Sequence, residues 1–191
     1  MLGESRPDPV RRSARRRDAD ASRAAIASAA TELFAERGYA LTGVRDIAAR
    51  AQVNSALVGR YFGSKEDLFA KVVRDSMDMG PVLAGPRESF GHHMADLFEQ
   101  SRSVPSPLAM ILLSMGDPSA RKAACAIVEE TIVAPLAEWL GGRDAIARAR
   151  MLNMLWSGYL THSQLLPNGP YGDASIQKWL ADATQAIVDC G

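Results

Sequence analysis

The apolar positions of this chain recur at three- and four-residue intervals almost throughout, and no stretch alternates apolar and polar in the manner of a strand. Ile26, Ala29 or Ala30, Leu33 and Phe34 make the first helical stripe, with Asp20 or Ser22 placed to cap it. "RGY" ends it: Arg37 falls in the last turn, and Gly38 can take the left-handed conformation that closes a helix. Thr42 is placed to cap a second helix, with Val44, Ile47 and Ala48 inward and Arg45 outward. Residues 51–53 form a turn whose small side chains permit a close crossing, and a short third helix covers 54–61. Gly63 closes it. Ser64 followed by Asp67 resembles a capping box and opens a fourth helix, its inner side made of Leu68, Phe69, Val72 and Val73.

"GPVLAGP", residues 80–86, contains two Gly-Pro steps and reads as a domain boundary. Beyond it the pattern predicts helices over 87–101, 106–115, 118–140, 143–166 and 173–189, with Asp117 and Asp173 as starters. The fold class is therefore all-α, about nine helices: an N-terminal helix-turn-helix domain over 20–79 and a C-terminal helical domain over 80–191. Residues 1–19, with "RRSARRRD" and no apolar periodicity, are expected to form a disordered Arg-rich arm.

Composition narrows the function classes. With 47% hydrophobic and 23% charged residues the chain reads as an ordinary soluble globular protein. No apolar run approaches the ~20 residues needed to span a bilayer, and no apolar stretch follows the basic N-terminus as in a secretory signal. A cytoplasmic location and no membrane partner are the expectation. Cys125 and Cys190 are too few and too distant for a disulfide framework or a metal site; each is expected to be an inert thiol, Cys125 on a buried helix face. The zero net charge hides an asymmetry: residues 1–74 carry 14 Lys and Arg against 9 Asp and Glu, and the remainder 8 against 13. Only the first part is suited to a polyanion.

A helix, a three- to four-residue turn and a second helix, packed on a first, match the unit that places its second helix in the major groove. The longer string "AATELFAERGYALTGVRDIAARAQVNSALVGRYFGSKEDLF", residues 29–69, resembles the N-terminal domain of the TetR (tetracycline-repressor-like) family of transcriptional regulators. The landmarks are Phe34, Gly38-Tyr39, Thr42, Val44 to Ala48, Ala51, Val53, Tyr61-Phe62, Ser64 to Glu66 and Leu68-Phe69. The resemblance implies that Thr42, Tyr61 and Lys65 hold phosphates and that Asn54, Ser55 and Ala56 face the bases, with Arg60 at the helix end placed either to grip a phosphate or to read a guanine. Arg45 is assigned to a phosphate-adjacent position. One departure stands out: where the family often carries aromatic or His residues before Tyr61, this chain has Gly59 and Arg60. A glycine inside a helix costs ~1 kcal/mol relative to alanine, so a close backbone approach or a loose helix end is expected there. The Arg-rich arm is expected to lie along the DNA backbone or in the minor groove.

Residues 143–166 are apolar almost all round, which implies burial on both sides, and the last helix carries Ile176, Trp179 or Leu180, Ala183 and Ile187 as a stripe. By resemblance, the final two long helices pair with their copies in a homodimer that reads an inverted-repeat operator in double-stranded DNA. The middle helices would enclose a cavity for an unknown small-molecule effector that releases the DNA. Candidate pocket residues are His92, His93, Met94, Phe98, Met110, Met115, Met151, Trp156, Tyr159 and His162, with plain core packing as the alternative for most. His92 and His93 are adjacent, so their side chains diverge by about 100° and cannot clamp one metal as an i, i+4 pair would. No metal and no cofactor are expected. An enzyme would need an acid/base pair or a nucleophile with its base, and three scattered histidines supply neither. A helical module binding RNA or an acidic protein would leave the helix-turn-helix pattern without a use.

Overall fold

The computed structural model describes residues 9–101, 105–166 and 173–190. It contains helices α1 (Pro9–Arg37), α2 (Val44–Arg50), α3 (Ser55–Phe62), α4 (Lys65–Asp75), the single turn α5 (Gly80–Leu83), α6 (Phe90–Gln100), α7 (Pro107–Ser114), α8 (Pro118–Val128), α9 (Ala134–Leu140), α10 (Ala145–Leu160) and α11 (Ala174–Asp189). A π turn, Glu129–Val133, joins α8 to α9 without a break, and another, Thr161–Leu165, extends α10. Counting each continuous rod once and α5 apart, the described residues hold nine helices and no strand, the all-α class read from the sequence. The first π turn has a local cause: Pro135 has no N–H for the carbonyl one turn back, and the helix widens just before it.

Two boundaries need correction. Residues 9–19, expected to be disordered, continue α1 as helix; residues 1–8 lie outside the described residues. Alanine and arginine are strong helix formers, so this segment can extend a helix nucleated by the packed stripe from Ile26 onward without any apolar face of its own. Asp20 and Ser22 consequently lie inside α1, where Arg23 pairs with Asp20 at 3.4 Å and the Ser22 hydroxyl donates to the Asp18 carbonyl at 2.8 Å. At the second helix, Gly43 is the N-cap in place of Thr42: the Gly43 N–H donates to Asp46 Oδ2 at 3.1 Å.

The core does not divide at residue 80. Ile26, Leu33, Phe34, Ile47, Val58, Leu68, Phe69 and Val73 form a first cluster, and Met110, Ile111, Ala120, Ala124 and Ile127 of α7 and α8 are buried in that same cluster. Phe34, Tyr39 and Phe69 pack as an aromatic triad with centroid distances of 5.2–6.0 Å. Gly38, at φ +74°, lets the α1–α2 turn press against the backbone of Leu113, and the Tyr39 N–H donates to the buried Ser114 hydroxyl at 2.9 Å. Burial holds the Tyr39 phenol above its ordinary pKa, with Ser119 hydrogen-bonded to it. The three-helix head is thus seated on the α7–α8 corner rather than tethered to it.

The second cluster gathers Phe90, Met94, Phe98, Leu136, Leu152, Trp156, Tyr159, Leu180 and Val188. Gly91 allows α6 and α11 to touch backbone to backbone, and the Gly91 N–H donates to Gln185 Oε1 at 3.0 Å. At one end, Arg87 donates to the carbonyls of Trp139, Leu140 and Val188, and the buried Arg148 donates to those of Val188 and Gly141. These two cations satisfy the free carbonyls where α9 and α11 end. Cys125 is exposed, against expectation, because the helix face toward the core is taken by Ala120, Ala124 and Ile127. No helix among the described residues is long and apolar enough to cross a membrane.

Candidate nucleic-acid interface

The helix-turn-helix is built from short-range signals. Asn54 caps α3, its side-chain oxygen accepting from the Ala56 N–H at 2.9 Å, and Gly63 ends the helix at φ +80°. Ser64 and Asp67 close a reciprocal cap on α4: the Asp67 N–H donates to Ser64 Oγ at 3.0 Å, and the Ser64 hydroxyl and N–H donate to Asp67 Oδ2 at 2.7 and 3.0 Å. Those two donors, the hydroxyl foremost, hold the Asp67 carboxyl below the usual carboxylate range. Arg50 bonds Glu32 and Glu36 of α1 at 2.8 and 3.3 Å and fixes the end of α2.

Within α3 the two faces separate by composition. Leu57, Val58, Tyr61 and Phe62 turn toward the first core, whereas Ser55, Ala56, Gly59 and Arg60 are exposed. Spacings of i, i+1, i+4 and i+5 put those four on one side of the helix. Arg60, and Arg45 on α2, are exposed and make no hydrogen bond or ion pair among the described residues, so both guanidinium groups can take an external acceptor. The Asn54 amide nitrogen remains available, its oxygen being engaged in the cap.

Tyr61 is half-buried, and the Arg23 guanidinium lies 4.8 Å from its ring centroid. Arg23 escaped the sequence reading; its one signal is a position one turn before Ile26, at the edge of the first apolar stripe. Two assigned phosphate contacts are differently employed. Thr42 is 1% exposed, with its hydroxyl donating to the Gly38 carbonyl at 2.8 Å and reaching that of Leu33 at 3.3 Å. Its hydroxyl is thus turned to the chain's own carbonyls and locks the turn. The Lys65 ammonium donates to the carbonyls of Tyr39 at 3.0 Å and Thr42 at 3.1 Å, and stands 3.9 Å from the Tyr39 ring centroid. It ties α4 to the α1–α2 turn. The signal for both was a motif position, and a motif position does not say which way a side chain turns.

The candidate pocket residues do not converge. Phe98, Trp156 and Tyr159 meet in the second cluster, with Phe98 5.9 Å from the Trp156 ring and 6.1 Å from that of Tyr159, and Met94 is buried in the same cluster. The Trp156 indole N–H donates to the buried Thr184 hydroxyl at 3.1 Å. Met110 and Met115 pack in the first cluster, on the other side of the molecule's apolar divide. His92, His93, Met151 and His162 are exposed. Among the described residues no group of three or more His, Cys, Asp or Glu is placed to hold a metal ion.

Helices α10 and α11 have more apolar surface than the chain itself covers. Met151 and Met154 on α10 are 51% and 65% exposed, and Trp179 on α11 is 56% exposed. The inner face of α11 is Leu180, Ala181, Thr184 and Val188, so the stripe through Ile176, Trp179, Ala183 and Ile187 lies to one side of it, half-buried or exposed.

Comparison with known proteins agrees with this architecture. The signature of "Bacterial regulatory proteins, tetR family" matches residues 26–72, and that of "Tetracyclin repressor-like, C-terminal domain" matches residues 88–188. The HTH-type transcriptional repressor Rv3405c of Mycobacterium tuberculosis is 60% identical over 50 residues, covering 26% of this chain and 27% of that protein. The HTH-type transcriptional activator FasR of Mycolicibacterium smegmatis is 36% identical over 87 residues, 46% of this chain and 39% of the relative. The chain thus spans well under half the length of the curated relatives it matches. Among solved structures, a TetR-family regulator (SCO0857) from Streptomyces coelicolor superposes with a TM-score of 0.58 at 25% identity, over 97% of this chain and 99% of the other. The multidrug binding protein EbrR, complexed with ethidium, gives 0.64 at 21% identity over 87% and 98%. With both of its halves matched and its fold shared, the chain belongs to the tetR family of bacterial regulatory proteins.

Proposed function

We propose that the protein acts as a homodimeric repressor that reads an inverted-repeat operator with α3 and lets go when a small apolar effector enters the C-terminal half. The exposed, polar outer face of α3, with Arg45 and Arg60 unengaged, carries the reading of DNA. Asn54, Ser55, Ala56 and Arg60 are the proposed base-side contacts, and Arg45, Tyr61 and Arg23 the backbone-side ones. One helix of eight residues covers few base pairs, so two copies related by a two-fold axis are needed for a usable site. The uncovered apolar surface of α10 and α11 supports pairing through those helices.

The aromatic group Phe98, Trp156 and Tyr159, lined by Met94, is the proposed effector region; EbrR, of the same fold, holds ethidium. Any rearrangement there has a short path to the head. Arg74 of α4 bonds Glu130 on the π turn at 3.0 and 3.2 Å, Glu129 beside it bonds Arg150 of α10 at 2.9 Å, and the α1–α2 turn is held by Ser114. An effector that favours one arrangement of this linkage shifts the population toward it and changes operator affinity by the same factor by which the operator changes effector affinity.

The test is selection of a binding duplex from a random-sequence pool by the full-length protein, followed by titration of variants. Arg60→Ala is expected to weaken the selected duplex by about tenfold or more, as removal of a bidentate base pairing does, and Tyr61→Phe by less. Neither should lower the melting temperature appreciably. Unchanged dissociation constants for both would remove α3 as the reader. The helical N-terminal extension of α1 is proposed to lie along the duplex backbone. Deleting residues 1–17 should then flatten the dependence of log affinity on log salt, by about 0.9 for each phosphate that the extension neutralises; an unaltered slope excludes the extension from the complex.

A further inference from the structure

Gly59 on the outer face of α3 is, like Gly158 of α10, a helical glycine that is neither crowded nor strained. Gly38 and Gly63 adopt positive φ, and Gly91 is pressed against the Ala181 carbonyl, so each is required by its own fold. Gly59 lies inside α3 without positive φ, is exposed, and a methyl group built on it meets no atom of the chain within 4 Å. Nothing intramolecular excludes a side chain there, and the helix is weaker for lacking one. Its neighbours on the same face are Ala56, one turn before, and Ser55 and Arg60 at either end. The middle of the outer face is therefore nearly bare backbone, flanked by groups able to hydrogen-bond a base.

We propose that Gly59 sets the depth at which α3 seats in the major groove, and so determines which base edges Arg60 and Ser55 reach. This rests on the reading of α3 as the DNA-reading helix. With no side chain between the helix backbone and the base edges, the axis approaches closely enough for short groups such as the Ser55 hydroxyl to make direct contact. A methyl or longer group at 59 lifts the middle of the helix, and the contacts on either side lengthen together. The occupant of the bare surface is the floor of a duplex groove, since its flanking groups are donors matched to base-edge acceptors rather than an apolar rim.

The experiment uses full-length protein, the duplex selected from a random-sequence pool by the wild type, and an unrelated duplex of equal length. Gly59→Ala is expected to raise the melting temperature by about 2–4 °C, because alanine favours the helix. It is also expected to bind the selected duplex at least about tenfold more weakly, with little change on the unrelated duplex, where phosphate contacts dominate. Gly59→Gln should weaken the selected duplex further. Reselection with Gly59→Ala should return a different base preference. Equal affinity together with the same selected sequence overturns the proposal, as does a lowered melting temperature, which would mean that the fold itself demands the glycine. A wild type that selects no sequence at all removes the α3 reading, and this inference with it; a selective wild type matched by Gly59→Ala removes the inference alone.

Discussion

Gly38→Ala should destabilise the protein by about 3 kcal/mol, the largest effect expected of any single methyl group here. Two independent terms add. Residue 38 sits at φ +74°, in the left-handed region where a Cβ meets its own backbone. The added carbon would also stand 2.3 Å from the Leu113 carbonyl oxygen and 2.7 Å from its carbon, and backbone atoms in a packed helix cannot swing aside as a side-chain tip can. For a chain of this size the loss corresponds to a fall in melting temperature of roughly 6–12 °C at fixed protein concentration. Gly38→Asn separates the terms: asparagine tolerates the left-handed region, so it should rescue the melting temperature only to the extent that backbone strain, rather than overlap with Leu113, causes the loss. Retention of wild-type stability by Gly38→Ala would mean that the α1–α2 turn does not rest on α7, and the proposed route from effector to head would lose its contact at that turn.

Trp179→Glu is expected to leave the subunit folded and abolish the dimer. The side chain is 56% exposed in the single chain, so its replacement disturbs little of the second cluster, whose inner face at this level is Leu180. At a two-fold interface one substitution acts twice, and a large aromatic of this kind commonly contributes about 2 kcal/mol or more of the association energy. A buried, unpaired carboxylate adds a further penalty on each side. Light scattering should report a monomer at micromolar concentration, and affinity for the selected duplex should fall by about a hundredfold or more, because each half-site is then bound alone. A dimer persisting in Trp179→Glu would move the interface away from α11.

These two sites illustrate how far the linear text could be read. Helix periods, caps and breakers are local, and the chain states them plainly: Gly38, Asn54, Gly63 and the Ser64–Asp67 pair end or begin helices where the pattern placed them. The outer face of α3 was legible for the same reason, since exposure on an eight-residue helix follows from periodicity once its inner side is known. The N-terminal extension was misread because a segment without an apolar stripe can still be helical when it continues a helix anchored elsewhere.

Which partner a polar group finds is another matter. Thr42 and Lys65 occupy positions that suit a phosphate, yet the turn between α1 and α2 folds back so that the hydroxyl enters the interior and the ammonium closes on two carbonyls. His92 and His162 are exposed, although α6 and α10 supply other residues to the second cluster, a matter of helix rotation that no spacing rule resolves for an apolar-rich segment. The same holds for Met110 and Met115, which lie beyond the Gly-Pro break and still pack into the first core.

The order of residues by itself determined that this chain is all helix, where most of those helices start and stop, and which short helix turns a polar face outward, because each of these is settled within one or two turns of backbone. Only the tertiary structure decided that the helix-turn-helix head and the α7–α8 corner share one core, that Thr42 and Lys65 face inward, and that α10 and α11 keep apolar surface in hand. Those outcomes depend on the rotation and crossing of helices far apart in the chain, where burial of apolar area on many residues outweighs the preference of any single side chain.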